Sequence, residues 1–214
     1  MSGKLITFEG IEGSGKSTQA AILSDKLRKI GFNILNTREP GGTPTGEIIR
    51  NILQHDLAGE TLYAEAEALL FCASRAQLCR KILRPALDGG AWIILDRFID
   101  STLAYQGYGR GFNIDQLRSI NEFAAKDVKP DITILIDVTV EEGLARVLAR
   151  CNGARDRIER EPMEFHKRLR DGYLEIARRE PERFAVFNGM DTQEETADKI
   201  WKTVVNRFHL NVNM

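Results

Sequence analysis

The stretch Leu5-Ile6-Thr7-Phe8-Glu9-Gly10-Ile11-Glu12-Gly13-Ser14-Gly15-Lys16-Ser17 decides the fold. It opens as an apolar, β-rich run and breaks into Gly10 to Ser17, which fits the pattern G-x-x-x-x-G-K-[ST]. Ala20, Leu23, Leu27 and Ile30 then recur at the spacing of one helix face. Strand, glycine-rich loop and helix in that order are the setting the pattern requires. The glycines let backbone N–H groups converge on phosphate oxygens, and the helix N-terminus adds positive potential. Lys16 can then reach terminal phosphates, and Ser17 can offer its hydroxyl to Mg²⁺. Gly10, Ile11, Glu12, Gly13, Ser14, Gly15, Lys16, Ser17 and Thr18 are therefore the expected triphosphate-binding set.

Outward from this loop, four further β-rich runs follow: Asn33 to Thr37, Trp92 to Asp96, Ile132 to Asp137 and Phe184 to Asn188. All are near-continuous rather than alternating, as strands covered on both faces of a parallel sheet should be. Helical spacing returns between and after them, at Ile114, Leu117, Ile120 and Ala124 and again from Ala197 to Phe208. Strand and helix in alternation predict an α/β fold, a three-layer phosphate-loop (P-loop NTPase) domain of about five parallel strands. Loops are expected at Glu39-Pro40-Gly41-Gly42, Asp88-Gly89-Gly90, Gly107 to Gly111 and Asn152-Gly153. No linker or repeat interrupts the pattern, so residues 1–214 read as one domain.

Composition narrows the partners. Of 214 residues, Lys and Arg supply 30 and Asp and Glu 31, a formal charge of −1, which argues against a sequence-blind binder of nucleic acid polymers or of membrane surfaces. No run of apolar residues is long enough to span a bilayer, and Met1 to Gly10 lacks the basic start and apolar centre of a secretory signal, so a cytoplasmic location is expected. Cys72, Cys79 and Cys151 form no Cys-x-x-Cys pair and read as reduced, partly buried thiols. His55, His166 and His209 lack ligand spacing, so a metal should arrive with a substrate.

A phosphate loop establishes a nucleoside triphosphate and leaves the reaction open. A second acid for the metal or its waters is expected at the end of a buried strand. Asp96 and Asp137 both fit; Asp96 is favoured because Arg97 follows it at the strand end where ligands bind. A GTP switch would carry Asn-Lys-x-Asp and Asp-x-x-Gly elements, and neither follows these strands. A kinase joining two anionic nucleotides instead needs arginines, and the loops supply Arg38, Arg97, Arg150, Arg155, Arg157 and Arg160.

The successive segments Phe8 to Thr18, Thr37-Arg38-Glu39-Pro40-Gly41-Gly42-Thr43, Leu70 to Arg75, Asp96-Arg97-Phe98, Ser101 to Gly107 and Asp156-Arg157-Ile158-Glu159 resemble the signatures of the thymidylate kinases, in order and spacing over almost the whole chain. The resemblance implies transfer of the ATP γ-phosphoryl group to dTMP with Mg²⁺, in the supply of deoxynucleotides, by a homodimer. It implies Phe71 as a platform for thymine and Arg75 as a donor to a ring carbonyl. Thr102 and Gln106 are implied to face the base, Tyr105 the sugar, and Arg38 and Arg97 the acceptor phosphate. Glu12, an acid inside an anion-binding loop, is implied to accept a hydroxyl proton from the dTMP sugar. Ser17, Asp96 and Glu9 form the implied metal side, and Lys16, Asp96 and Arg97 the catalytic core. Some family members carry an arginine at the position of Gly13; this chain instead places Arg150, Arg155 and Arg157 in a lid segment of about 148–160. Leu62 to Leu83 and Ile114 to Ala124 are implied contact surfaces between copies. The rivals are a kinase of similar fold for uridylate or a deoxynucleoside, and a nucleotide-dependent switch or scaffold.

Overall fold

The structure is a computed structural model that describes residues 3–55, 57, 59–151 and 156–211. Five strands form one parallel sheet: β1 (Lys4–Glu9), β2 (Ile34–Arg38), β3 (Trp92–Asp96), β4 (Ile132–Asp137) and β5 (Phe184–Asn188), in the order β2-β3-β1-β4-β5. This is the layered parallel sheet expected from the sequence. Successive residues of the inner strands bury on opposite faces, which explains their unbroken apolar runs. Ile6, Phe8, Trp92, Ile94, Ile132 and Ile134 meet Leu23, Leu27, Ile200 and Val204, from α1 (Lys16–Lys29) and α9 (Gln193–Phe208). On the other face, Leu5, Ile93 and Leu95 meet Leu78 and Phe98. Leu78 ends α3 (Ala64–Leu78), which runs on through a π-helical turn, Cys79–Leu83, into α4 (Arg84–Asp88). Leu135 lies among Leu169, Tyr173 and Ile176 of α8 (Met163–Arg179).

Two sequence expectations shift. The second strand is Ile34–Arg38 rather than Asn33 to Thr37, and the change carries Arg38 into register with Asp96. This strand lies at the sheet edge and is largely half-buried or exposed, unlike its neighbours. The expected loop at Gly107 to Gly111 begins inside a π-helical segment, Leu103–Gly109, which continues α5 (Ile99–Thr102). There Gly109 serves close packing rather than a turn: a Cβ would stand 2.6 Å from the Phe165 ring. Three helices complete the described chain: α2 (Pro44–Gln54), α6 (Ile114–Ala125) and α7 (Val140–Cys151). Thr43 and Asn113 cap the first two of these by accepting backbone N–H groups.

One polar group is sealed within the apolar layers. Asp100 is fully buried and receives two hydrogen bonds from the Arg183 guanidinium at 2.7 and 2.9 Å. Thr7 and Thr133, on neighbouring strands, hydrogen-bond each other at 2.8 Å, and Arg183 donates to Thr133 at 2.7 Å. A charge this deep is tolerated only when paired. The pair ties α5, which carries Asp100, to the starts of β4 and β5, where Thr133 and Arg183 lie.

Candidate active site

The C-terminal ends of β1, β2 and β3 open into a cleft of about 250 Å³. β1 delivers Glu9 and the glycine-rich loop, β2 delivers Arg38, and β3 delivers Asp96 and Arg97. Lys16, the first residue of α1, folds over the loop and donates to the carbonyls of Gly10 (3.0 Å) and Ile11 (2.7 Å). Burial, reinforced by Arg97, pushes its ammonium down to about 8 against the pull of Asp96, Glu12 and Glu9. The Ser17 hydroxyl donates to Asp96. Asp137, the other strand-end acid, is instead held by Arg170 through two hydrogen bonds of 2.7 and 2.8 Å. Gly13 sits at φ 71 against the first turn of α7, where a Cβ would meet the Gly143 carbonyl oxygen at 2.1 Å. Gly143 is pressed as tightly, its own Cβ position lying 2.6 Å from the Glu12 carbonyl oxygen.

Glu12 projects from the loop into the cleft, toward Arg97 and Tyr105. Arg97 donates to its Oε1 at 3.0 Å, and the Tyr105 hydroxyl donates to the same oxygen. Burial raises the Glu12 carboxyl, but Arg97, Lys16 and Tyr105 outweigh it and hold the group below its ordinary value. Its Oε2 is buried and has no hydrogen-bond partner among the described residues, with His166 Nδ1 3.8 Å away. Arg97 is a non-glycine residue at φ 69, a costly backbone conformation that turns its side chain back toward the loop. Its guanidinium also donates to Gly10 O (3.2 Å) and to the Tyr173 hydroxyl (3.2 Å), and it lies 4.9 Å above the Tyr105 ring.

Glu9 lies beneath this layer and does not line the cleft. Its carboxylate accepts from the Phe98 backbone N–H (2.7 Å), the Ser101 hydroxyl (2.6 Å) and the Tyr173 hydroxyl (2.8 Å). Burial, then repulsion from Asp100, raises it to about 7.

Across the cleft, Phe71, Thr102, Tyr105 and Gln106 line one wall, with Arg38 and Arg97 between them and the loop. Arg75 is buried underneath. Its five N–H groups donate to Glu39 (two bonds), Thr102, Asn121 and the Phe98 carbonyl at 2.5 to 3.0 Å. Glu39 and Arg75 therefore form a sealed ion pair that supports Thr102 from behind. Arg38 pairs with Glu47 at 3.0 Å. Sequence reasoning did not single out Glu39, Arg50, Gln54, Ser101 or Glu159, which also line or support the cleft. Glu39 stood in a motif that was quoted, but nothing in the spacing tells a buried acid from a turn residue.

A family model described as thymidylate kinase matches residues 8–200. The chain belongs to the thymidylate kinase family. It is 49% identical over 199 residues to a thymidylate kinase of Thermomicrobium roseum, covering 93% of both chains. To that of Geobacter sulfurreducens it is 45% identical over 209 residues, covering 96% of this chain and 98% of the relative. A crystal structure of thymidylate kinase from Ehrlichia chaffeensis superposes with a TM-score of 0.77 at 36% identity, covering 95% of this chain and 99% of that one.

The lid arginines expected of this thymidylate kinase-family chain separate in space. Arg150, at the end of α7, lines the cleft and donates to Glu159 at 3.3 Å. Arg157 does not line the cleft; its guanidinium donates to the Leu53 carbonyl and to Glu67. Arg155 lies outside the described residues. On the far side of the loop, Ser14, Gly15 and Thr18 border a second groove with Arg146, Gly189, Asp191 and Gln193. Arg146 donates to the carbonyls of Gly189 (3.1 Å) and Gly13 (3.5 Å). These residues were also missed, because Arg146 is one of many charges in its stretch and the groove is assembled from three distant segments.

Proposed function

We propose that this chain transfers the γ-phosphoryl group of ATP to dTMP, releasing ADP and dTDP for dTTP synthesis. The observation that carries the reading is one cleft with a phosphate loop on one wall and an aromatic, hydrogen-bonding wall opposite, with arginines between. ATP would lie along the loop from Gly10 to Thr18, its nucleoside toward the groove beside Arg146, and Lys16 would draw charge from the terminal phosphates. The acceptor base would rest on Phe71, with Thr102 and Gln106 at its edge and Arg75 holding Thr102. Tyr105 would close the sugar site, and the open Oε2 of Glu12 would accept a sugar hydroxyl. Arg38 and Arg97 would fix the acceptor phosphate, whose oxygen is already anionic; positioning and charge stabilisation then carry the chemistry.

The Ser17 hydroxyl and the Asp96 carboxylate, already joined to each other, are hard oxygen donors of the kind that hold Mg²⁺ or its waters when the ion arrives with triphosphate. Bound there, the ion would neutralise charge between the phosphates. Glu9 would serve that side indirectly, by aiming Ser101 and the turn after Asp96. Arg150, which lines the cleft, would be the lid arginine that meets the transferring group, within a proposed lid of about 148–160 on a single domain of residues 1–214. Excluding water there would favour transfer over hydrolysis.

A homodimer is proposed through α3 and α6, whose Leu69 and Phe123 are 60% and 88% exposed. Among the described residues no helix is long and apolar enough to cross a membrane. The deciding experiment is ADP release measured with dTMP, dUMP, UMP, AMP and thymidine as acceptors. Turnover with dTMP well above the other acceptors is expected; no dTMP-dependent release above ATP hydrolysis alone overturns the reading.

A further inference from the structure

Glu67 is a buried acid that no step above uses. It lies on α3, 1% exposed, four residues before Phe71 and thus on the same helix face. Its carboxylate gathers three donors from two directions. From the acceptor wall, Gln106 Nε2 donates to Oε1 at 2.8 Å, and Arg110 donates to both oxygens at 3.3 and 3.1 Å. From the segment 156–161, Arg157 donates to Oε2 at 2.5 Å. That segment is pinned at further points around the same acid. The Arg157 backbone N–H reaches Gln54 O at 3.3 Å and its Nε reaches Leu53 O at 3.1 Å, both at the end of α2. Gln54 in turn donates to Asp156 at 3.4 Å, and Glu161 pairs with Arg110 at 2.7 Å.

We propose that Glu67 is a positioning residue that locks the acceptor-base wall, through Gln106, to the segment 156–161, through Arg157. It follows that Arg157 serves this anchor and not the transferring phosphoryl group, although it belongs to the segment whose arginines are expected to do so. The geometry supports the division. Arg150 lines the cleft, whereas Arg157 does not: its guanidinium is spent on the Glu67 carboxylate and the Leu53 carbonyl. Glu67 gives up its solvation entirely, and Arg110, Gln106 and Arg157 offset that by holding the carboxyl below its ordinary value. Because Asp156 also accepts the backbone N–H groups of Ile158 (2.9 Å) and Glu159 (2.8 Å), fixing Arg157 also fixes Ile158 and Glu159, which line the cleft. The acid thus ties the wall that holds the base to residues that cover the reacting end.

The inference rests on the kinase reading above, so the test has one arm that needs no substrate. Wild type, Glu67→Gln, Arg157→Gln and the double variant are compared by steady-state dTMP phosphorylation, by ATP hydrolysis without acceptor, and by amide hydrogen exchange of the nucleotide-free proteins. The expected result is that each single variant raises KM for dTMP and lowers kcat by a similar factor, roughly tenfold, with the KM for ATP nearly unchanged and the share of ATP lost to water increased. The double variant is no worse than the worse single, as two halves of one contact require. Exchange within 156–161 accelerates in both single variants while β1 and β4 stay protected, which separates the anchor from general destabilisation. Three results overturn it. One is a loss of kcat of roughly a hundredfold in Arg157→Gln with Glu67→Gln near wild type, which would place Arg157 on the phosphoryl group. Another is a double variant whose losses multiply. The third is unchanged exchange across 156–161 in both single variants. Should wild type itself fail to use dTMP, the kinase reading falls, and the exchange arm alone decides whether Glu67 holds the segment.

Discussion

The Arg97 guanidinium stands 3.0 Å from a carboxylate oxygen of Glu12, an acid carried by the phosphate loop itself. An acid in such a loop opposes triphosphate binding unless its charge is held elsewhere, and Arg97 and Tyr105 hold it toward the acceptor wall. Among the described residues its second oxygen has no hydrogen-bond partner. Glu12→Gln is therefore expected to lower kcat/KM for dTMP by roughly 10- to 100-fold, the size of one hydrogen bond to a charged group. The loss should shrink for a 3′-deoxy acceptor. Equal losses with both acceptors would mean that Glu12 does not touch the sugar hydroxyl.

Lys16 is held in the charged form against its surroundings. Burial takes it from its ordinary value of 10.5 to about 8, so the folded protein at neutral pH carries a penalty that the unfolded chain does not. Lys16→Met should reduce kcat by at least about a hundredfold. It should also raise the free energy of unfolding in urea at pH 7, by up to roughly 3 kcal/mol. The unfolded chain binds the extra proton between pH 8 and 10.5, so wild-type stability rises with pH across that window and the advantage of methionine fades. A variant that unfolds at pH 7 would show that Lys16 supports the loop structurally.

Glu9 gives the opposite slope on the acid side. Burial, and then Asp100, raises its carboxyl from 4.5 to about 7, so the folded state holds a proton that the unfolded chain has already released. Wild-type stability contributed by this group is complete below pH 4.5 and falls as pH rises through 7. Unfolding curves from pH 4.5 to 7.5 should therefore shift in favour of Glu9→Gln by roughly 2–3 kcal/mol, whatever the constant offset between the two proteins. Parallel stability profiles would contradict the raised value.

Phe71 presents its ring to the cleft from α3, opposite the phosphate loop. Phe71→Ala should raise KM for dTMP by at least about tenfold, the scale of one base–aromatic stack, and change KM for ATP by less than about twofold. Selective loss of ATP affinity would move the base platform elsewhere.

Much of this was legible along the chain because it is local. The loop from Gly10 to Ser17 needs its glycines at fixed offsets, and strands buried on both faces must be unbroken apolar runs; both signals survive without any tertiary knowledge. Asp96 was favoured over Asp137 from the arginine that follows it, and the two acids sit in different surroundings: one under Ser17, the other locked to Arg170. What could not be read was which charges face inward. Arg75 and Arg157 belong to quoted motifs, yet one is sealed beneath the site by Glu39 and the other turns out to Glu67. Those acids lie 36 and 90 residues away in sequence, a separation at which spacing carries no information. Glu67 gave no local sign, because its importance comes from three donors on two other elements. The π-helical run at Leu103–Gly109 was hidden for a related reason: its glycines read as a break, while the fold uses Gly109 to admit an aromatic ring.

The paired contact of Gly13 with Gly143 sets a boundary on how this enzyme can change. Where a relative bears an arginine in the loop at that position, this chain has a carbonyl oxygen in the space its first side-chain atom would need. A single substitution cannot place a charged side chain in the loop there, since the first turn of α7 would have to retreat at the same time. A side chain at position 13 therefore demands a coupled displacement of α7 around Gly143, so the loop and that helix can change here only together.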